Sequence, residues 1–115
     1  MKEVLTAHPE AIMGSISDVQ TLLETKGARC KILVMSSLCY ASLLKEDHER
    51  NGKDPHVEQA EPENLFNYGY IGAMWGSIIY IDRKCQSYNI SAYGDDCMEF
   101  LADYPEMWDD AKDLI

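Results

Sequence analysis

The segment SISDVQTLLETKGARC carries apolar residues at helical spacing, which predicts the first helix of the chain. Its apolar positions are Ile16, Val19, Leu22 and Leu23. Two capping boxes fit its start, Ser15 with Asp18 and Ser17 with Gln20. Gly27 is predicted to end it. Residues 1–14, which precede it, are either an extra turn or an arm, and the pattern leaves both open.

An unbroken apolar run at Ile32–Met35 predicts a short strand covered on both faces. Ser36 and Ser37 are placed to cap a second helix directly after it, and Asn51 with Gly52 is predicted to stop that helix. The residues expected to pack are Leu38, Tyr40, Ala41 and Leu44. The residues expected to face water are Lys45, Glu46, Asp47, Glu49 and Arg50.

The second half of the chain begins with a polar segment and continues with a sheet-rich one. Residues 52–63 contain two prolines and few apolar residues, so a mobile surface loop is expected. Residues 64–96 are rich in tyrosine and β-branched residues, which predicts two or three antiparallel strands with a turn around 83–87. Gly72 and Gly76 are expected to let the backbone bulge or bend sharply, with Trp75 wedged beneath.

The C-terminal segment, residues 95–115, is predicted to be an acidic helical tail. A short helix carries Met98, Phe100 and Leu101, and Pro105 breaks it. A final helix would place Met107, Trp108, Ala111 and Leu114 together. The 115 residues are thus expected to form one domain of the α+β class, a small and mainly antiparallel sheet with flanking helices.

Charge narrows the classes of partner. The net charge is −10, and the residues from Asp95 onward hold eight acids against one base, Lys112. Such a field repels phosphate, so direct binding of nucleic acid is disfavoured and basic protein surfaces are favoured. The acidic residues are either a surface for a basic partner or simply a solvated face, and both interpretations stay open.

Catalytic, metal and cofactor sites have no support in the sequence. His48 and His56 lie near acidic residues, but their spacing matches no usual ligand pattern. The four cysteines form no CxxC pair and are expected to be small buried hydrophobes, as in a reducing compartment. No apolar run is long enough for a membrane span or a signal peptide. We therefore expect a cytosolic, non-enzymatic protein with no cofactor, no bound metal and no membrane association.

The order of these patterns over residues 16–96 resembles the central part of the coat proteins of tailed bacteriophages, shared with encapsulins. In that family a helix and a strand ending near "MS" lead to a helix like the one at 38–45. A later family segment, "lGtlwGipIyvd", is matched by Gly72, Trp75, Gly76, Ile78, Tyr80, Ile81 and Asp82. The return strand toward a glycine and an aspartate is matched by Ile90, Gly94 and Asp95. Coat proteins of this class are more than twice as long, so the resemblance implies one subdomain standing alone.

Two functions are expected from these features. The first is a viral structural or assembly protein that contacts a capsid or other virion protein. The second is an acidic phage inhibitor that mimics nucleic acid and blocks a basic groove of a host defence protein. The residues expected to bind the partner are Tyr80, Asp82, Arg83, Lys84, Asp95, Asp96, Glu99, Asp103, Tyr104, Glu106, Met107, Trp108, Asp109 and Asp110. The protein would act in the virion or the host cytoplasm, and self-association is left open.

Overall fold

The computed structural model describes residues 1–59, 70–95 and 98–107. Within these ranges three helices and six strands follow one another along the chain. They are β1 (Lys2–Thr6), α1 (Ile12–Thr25), β2 (Ile32–Met35), α2 (Ser37–Asn51), β3 (Val57–Gln59), β4 (Tyr70–Met74), β5 (Ser77–Ile81), β6 (Asn89–Tyr93) and α3 (Met98–Asp103), followed by a 3-10 turn at Pro105–Met107. No helix in the described ranges is long and apolar enough to cross a bilayer.

The six strands form one sheet in the order β1-β6-β2-β5-β4-β3. Strand β2 runs parallel to β5, and the other neighbouring pairs are antiparallel. The predicted α+β class with a mainly antiparallel sheet is therefore confirmed. All four residues of β2 are buried, as the unbroken apolar run predicted.

The sheet separates two apolar clusters. Helices α1 and α2 cover one face, where Leu33 and Met35 of β2 join the larger cluster. On the other face Ile32 and Val34 pack with Phe100 of α3. Because successive side chains of a strand point to opposite faces, a strand covered on both sides needs apolar residues at every position.

Helix α1 begins earlier than the sequence predicted. It starts at Ile12, and the side chain of the preceding residue, Ala11, accepts no hydrogen bond from the first turn, so both predicted capping boxes are wrong. The end of the helix is confirmed, because the amides of Gly27 and Ala28 close the last turn on the carbonyls of Glu24 and Leu23, each at 3.0 Å. Residues 1–14 contain β1 and the first turn of α1.

Helix α2 is capped as predicted, and Tyr40 is buried and Leu44 packs against the core as expected, but the rest of its buried face differs from the prediction. The Ser36 hydroxyl accepts the amide of Cys39 at 3.0 Å, and Gly52 follows the last helical residue. Glu46 and Asp47, expected to face water, are only 7% and 2% exposed. Leu38, expected to pack, is 50% exposed, and Ala41 is exposed too. The two carboxylates turn inward because backbone amides of other elements need acceptors there.

The polar segment 52–63 is not only a loop. Its residues Val57–Gln59 form β3, which pairs with β4 and makes one edge of the sheet. Residues 60–63 lie outside the described residues. Asp47 fixes the start of β3, because its carboxylate accepts hydrogen bonds from the amides of His56 and Val57, both at 3.0 Å.

The hairpin lies at Trp75–Gly76 instead of 83–87. A turn does exist at Arg83–Lys84, but the strands on either side of it, β5 and β6, are separated by β2 and do not pair.

The predicted bend at Gly76 and bulge at Gly72 are both present. A Cβ at Gly72 would lie 2.6 Å from the carbonyl oxygen of Glu58, so β3 approaches β4 too closely for any side chain there. Trp75 is 44% exposed at the tip and is not wedged beneath the strands.

Candidate interaction surface

The connection between β5 and β6 passes over the carboxyl end of β2. The Asp82 amide donates to the Met35 carbonyl at 2.9 Å, and the Ser36 hydroxyl donates to the Ser87 carbonyl at 2.6 Å. These bonds fix both ends of the connection against the start of α2. Arg83 and Lys84 lie between them with exposed side chains.

Asp82 joins this connection to the C-terminal segment. Its Oδ1 accepts the Lys84 amide at 3.0 Å, which closes the turn on itself. Its Oδ2 accepts the Tyr104 hydroxyl at 3.1 Å. We call the surface formed by Asp82, Arg83, Lys84 and residues 98–106 the α3 surface.

An aromatic cluster holds α3 against the sheet. The Phe100 ring centroid lies 5.2 Å from that of Tyr80, 5.5 Å from Tyr93 and 5.6 Å from Tyr104. Phe100 is fully buried, whereas Met98 and Glu99 of the same helix are exposed. A helix of six residues has little stability of its own, so these ring contacts are what order α3.

Asp103 ties the end of α3 to the first strand. Its Oδ2 accepts hydrogen bonds from the Tyr93 hydroxyl at 2.8 Å and from Lys2 Nζ at 2.7 Å. These two bonds, from Lys2 first and Tyr93 second, lower the pKa of Asp103. Burial, followed by the bond to Asp82, raises the pKa of Tyr104. At neutral pH Asp103 is therefore a charged acceptor and Tyr104 a neutral donor, so the arrangement serves to hold α3 in place.

The predicted partner-binding residues differ in exposure, and some lie outside the described residues. The exposed ones are Arg83, Lys84, Asp95, Glu99, Asp103 and Glu106, while Asp82 and Tyr104 are partly buried. Tyr80, predicted to lie at an exposed tip, is fully buried, because it alternates with Ile79 and Ile81 along β5 and α3 covers its face of the sheet. Met107 belongs to the 3-10 turn. Asp96, Trp108, Asp109 and Asp110, with the predicted final helix, lie outside the described residues.

Two of the described cysteines are protonated by burial, and the described residues contain no cluster that could hold a metal ion. Burial raises the pKa of Cys30, and it raises the pKa of Cys39 to about 12, so both are thiols at neutral pH. Both are buried in the core, as the sequence predicted, whereas Cys85, also expected to be buried, is only partly buried because it lies in the β5–β6 connection. Cys97 lies outside the described ranges. Among the residues that the structure describes, no three His, Cys, Asp or Glu side chains are grouped closely enough to hold a metal ion.

Sequence reasoning missed a second exposed feature at the other end of β5. Trp75 is at the hairpin tip, and its indole N–H donates to His56 Nδ1 at 3.1 Å. The signal was present in the sequence, since a two-residue connection ending in glycine between two apolar runs is typical of a tight hairpin.

Comparisons with models of known protein families, with curated proteins and with solved structures found no match.

Proposed function

We propose that the protein is a non-enzymatic viral structural or assembly protein, similar to a coat-protein subdomain standing alone, that works by binding another protein. The observation that carries this proposal is the hydrogen bond between Tyr104 and Asp82. It joins the β5–β6 connection and α3 into one continuous surface, the α3 surface. Interfaces are formed by such contiguous, rigidly supported patches.

The order of elements supports the same proposal. The resemblance implies a helix, a strand and a helix, followed by a glycine-containing segment and a return strand. The chain has α1, β2 and α2 in this order, then the β4–β5 hairpin and β6. Gly72 and Gly76, two of the residues that carry the resemblance, lie at a bulge and in the hairpin turn.

The charges of the α3 surface are divided between its two parts. Arg83 and Lys84 are the basic part, and Glu99 with Glu106 is the acidic part. A partner must therefore present acidic groups to the loop and basic groups to α3. This pattern would fix the orientation of a bound virion protein, because a rotated partner would meet like charges.

Affinity capture from infected host cells tests the proposal. The tagged protein is expected to retain a capsid or other virion protein, and the double variant Arg83→Glu/Lys84→Glu is expected to lose it. Lys45→Glu/Lys53→Glu is the matched control, because it makes the same change in charge at exposed positions outside the α3 surface. Equal capture by both double variants, or capture of no virion protein by the unmodified chain, would contradict the proposal.

The second candidate function is an acidic inhibitor that mimics nucleic acid. It is favoured by the exposure of Asp95, Glu99 and Glu106, whose carboxylates would stand in for phosphates. Salt distinguishes the two functions. A phosphate mimic, held by charge alone, should release a basic host protein steeply as salt rises. A virion protein whose charges set its orientation and whose affinity comes from apolar contact, for example with the exposed Met98, should be released less steeply.

A further inference from the structure

Trp75 occupies a backbone position that suits asparagine or glycine. Met74 pairs with Ser77 across a two-residue connection, and the φ angles of Trp75 and Gly76 are +52° and +83°. Two positive φ values define the type I′ turn, in which Asn-Gly is the preferred pair. A bulky aromatic residue is disfavoured at positive φ because its Cβ crowds the backbone.

Burial does not compensate for this strained position. Trp75 is 44% exposed, whereas the hydrophobic effect rewards a tryptophan that is removed from water. Strained residues that are held in place by their surroundings are found disproportionately at functional sites. The strained backbone and the exposed ring together indicate that Trp75 contacts a partner in a complex.

One contact holds the indole ring of Trp75, and another holds its backbone. Its Nε1–H donates to His56 Nδ1 at 3.1 Å, and the two rings meet at 64° with their centroids 5.8 Å apart. The Trp75 carbonyl accepts a bond from Gln20 Nε2 of α1 at 3.3 Å. The backbone of His56 is held in turn by the bond from its amide to Asp47. The polar edge of the indole is thus occupied within the protein.

We propose that Trp75 is a preorganised anchor for an arginine or lysine side chain of a basic protein partner. The face of an indole attracts cations more strongly than any other aromatic side chain does. Tryptophan is also among the residues that contribute most to binding at interfaces. Because the ring is already fixed, little conformational entropy is lost when a partner binds. The net charge of −10 attracts partners of the required sign.

The anchor is separate from the α3 surface. The hairpin tip precedes Ser77 at the start of β5, whereas Asp82 follows Ile81 at its end. The inference rests on the proposed function only in that the protein acts by contact. Beyond the proposed function, the inference names the chemical class of the partner's side chain and a second binding site on this protein, at Trp75. Charge would govern the association rate, and Trp75 would govern the dissociation rate.

A hexa-arginine peptide provides a direct probe. In a Trp108→Phe background Trp75 is the remaining tryptophan, so its fluorescence reports on this ring alone. We expect a saturable change in fluorescence, and we expect no change with the uncharged hexa-citrulline peptide. Trp75→Asn should weaken hexa-arginine binding by about 3- to 30-fold, measured by calorimetry. Leu22→Ala, which trims a side chain of similar exposure on α1, should leave the affinity unchanged.

Loss of fold would not explain this result. Asparagine fits the turn better than tryptophan does, so Trp75→Asn should unfold at the same temperature as the unmodified chain or higher. Trp75→Gly serves as a second variant with the same expectation. Equal affinity of the asparagine and glycine variants for hexa-arginine would overturn the inference. So would calorimetric binding with unchanged Trp75 fluorescence.

The two proposals fail in different ways. If hexa-arginine binds independently of Trp75 while a virion protein is still captured through Arg83 and Lys84, the anchor is wrong and the proposed function stands. If hexa-arginine binding depends on Trp75 but no virion protein is captured, the anchor stands and the proposed function is wrong.

Discussion

Glu46 of α2 caps the amino terminus of a different helix, since its Oε2 accepts the backbone amide of Ile12 at 2.7 Å. The same oxygen accepts the amide of Met13 at 3.2 Å, and Arg50 Nε lies 3.6 Å from Oε1. The side chain of Ala11 provides no acceptor, so without Glu46 these amides would be buried without hydrogen-bond partners. A negative charge at this end of α1 is also favoured by the helix dipole. The buried carboxylate thus joins α1 and α2.

Removal of this carboxylate should destabilise the fold. Glu46→Ala is expected to lower the free energy of unfolding by about 1–3 kcal/mol, because two buried amides lose their acceptor. Glu46→Gln keeps an acceptor without the charge, so its loss should be smaller. Urea unfolding followed by circular dichroism measures both. Glu49→Ala, at an exposed position of α2, is the control and should stay within about 0.5 kcal/mol of the unmodified chain. A Glu46→Ala midpoint equal to that of Glu49→Ala would contradict the capping role.

Asp47 should make stability dependent on pH in the acid range. Burial raises the pKa of this carboxyl, but hydrogen bonds from the amides of His56 and Val57 and from the Asn51 side chain outweigh it, and the pKa is lowered overall. A lowered folded-state pKa gives stability that is present above the unfolded-state pKa and is lost as pH falls toward the folded-state value.

The matching measurement compares unfolding free energies of the unmodified chain and Asp47→Asn from pH 7 to pH 2. The deficit of the variant should be constant above about pH 5 and should shrink below about pH 4. Asp54→Asn, in the exposed turn before β3, controls for a general charge effect. A deficit that stays constant down to pH 2 would show that Asp47 does not act through its charge.

Gly72 and Gly14 should respond in opposite directions to alanine. At Gly72 the new Cβ would lie 2.6 Å from the Glu58 carbonyl oxygen, so β3 must move away from β4. We expect a loss of about 1–3 kcal/mol and faster amide exchange in Val57–Gln59. Gly14 lies within α1 with open space around it, so Gly14→Ala should add up to about 1 kcal/mol. Unchanged exchange in β3 of Gly72→Ala would contradict the close packing.

Tyr104→Phe should loosen α3 specifically. The variant loses the hydrogen bond to Asp82 but keeps the ring that packs on Phe100. We expect a cost of about 1 kcal/mol and faster hydrogen exchange in residues 98–103. Tyr88→Phe is the matched control, since it removes a hydroxyl that contacts Ser42 beside the other core cluster. If hydrogen exchange in α3 is equally fast in the two variants, the hydrogen bond between Tyr104 and Asp82 does not help to order the helix.

Several local features were predictable from the sequence, and the long-range ones were not. The strand Ile32–Met35 and the Ser36 cap were predictable because their signals lie within a few residues. The burial of Glu46 was not, since its amide partners lie more than thirty positions away in the chain. The separation of β5 from β6 escaped prediction for the same reason, because β2 inserts between them.

The candidate surface was predicted in part. Arg83 and Lys84 are exposed as expected, but the alternation of β5 buries Tyr80 once α3 covers that face of the sheet. Packing of α3 through Phe100 is a tertiary event that no local pattern specifies. Trp75 was missed because aromatic residues usually seek burial, whereas turn geometry places this one at an exposed tip.

Site-specific photo-crosslinking in infected cells tests most directly whether the α3 surface binds a virion protein. A photoreactive phenylalanine derivative replaces Lys84 in one variant and Leu22, on the exposed side of α1, in another. The proposed function predicts a discrete crosslink to a capsid or other virion protein from position 84 and none to that protein from position 22. No macromolecular crosslink from position 84, or the same crosslink from both positions, would contradict it.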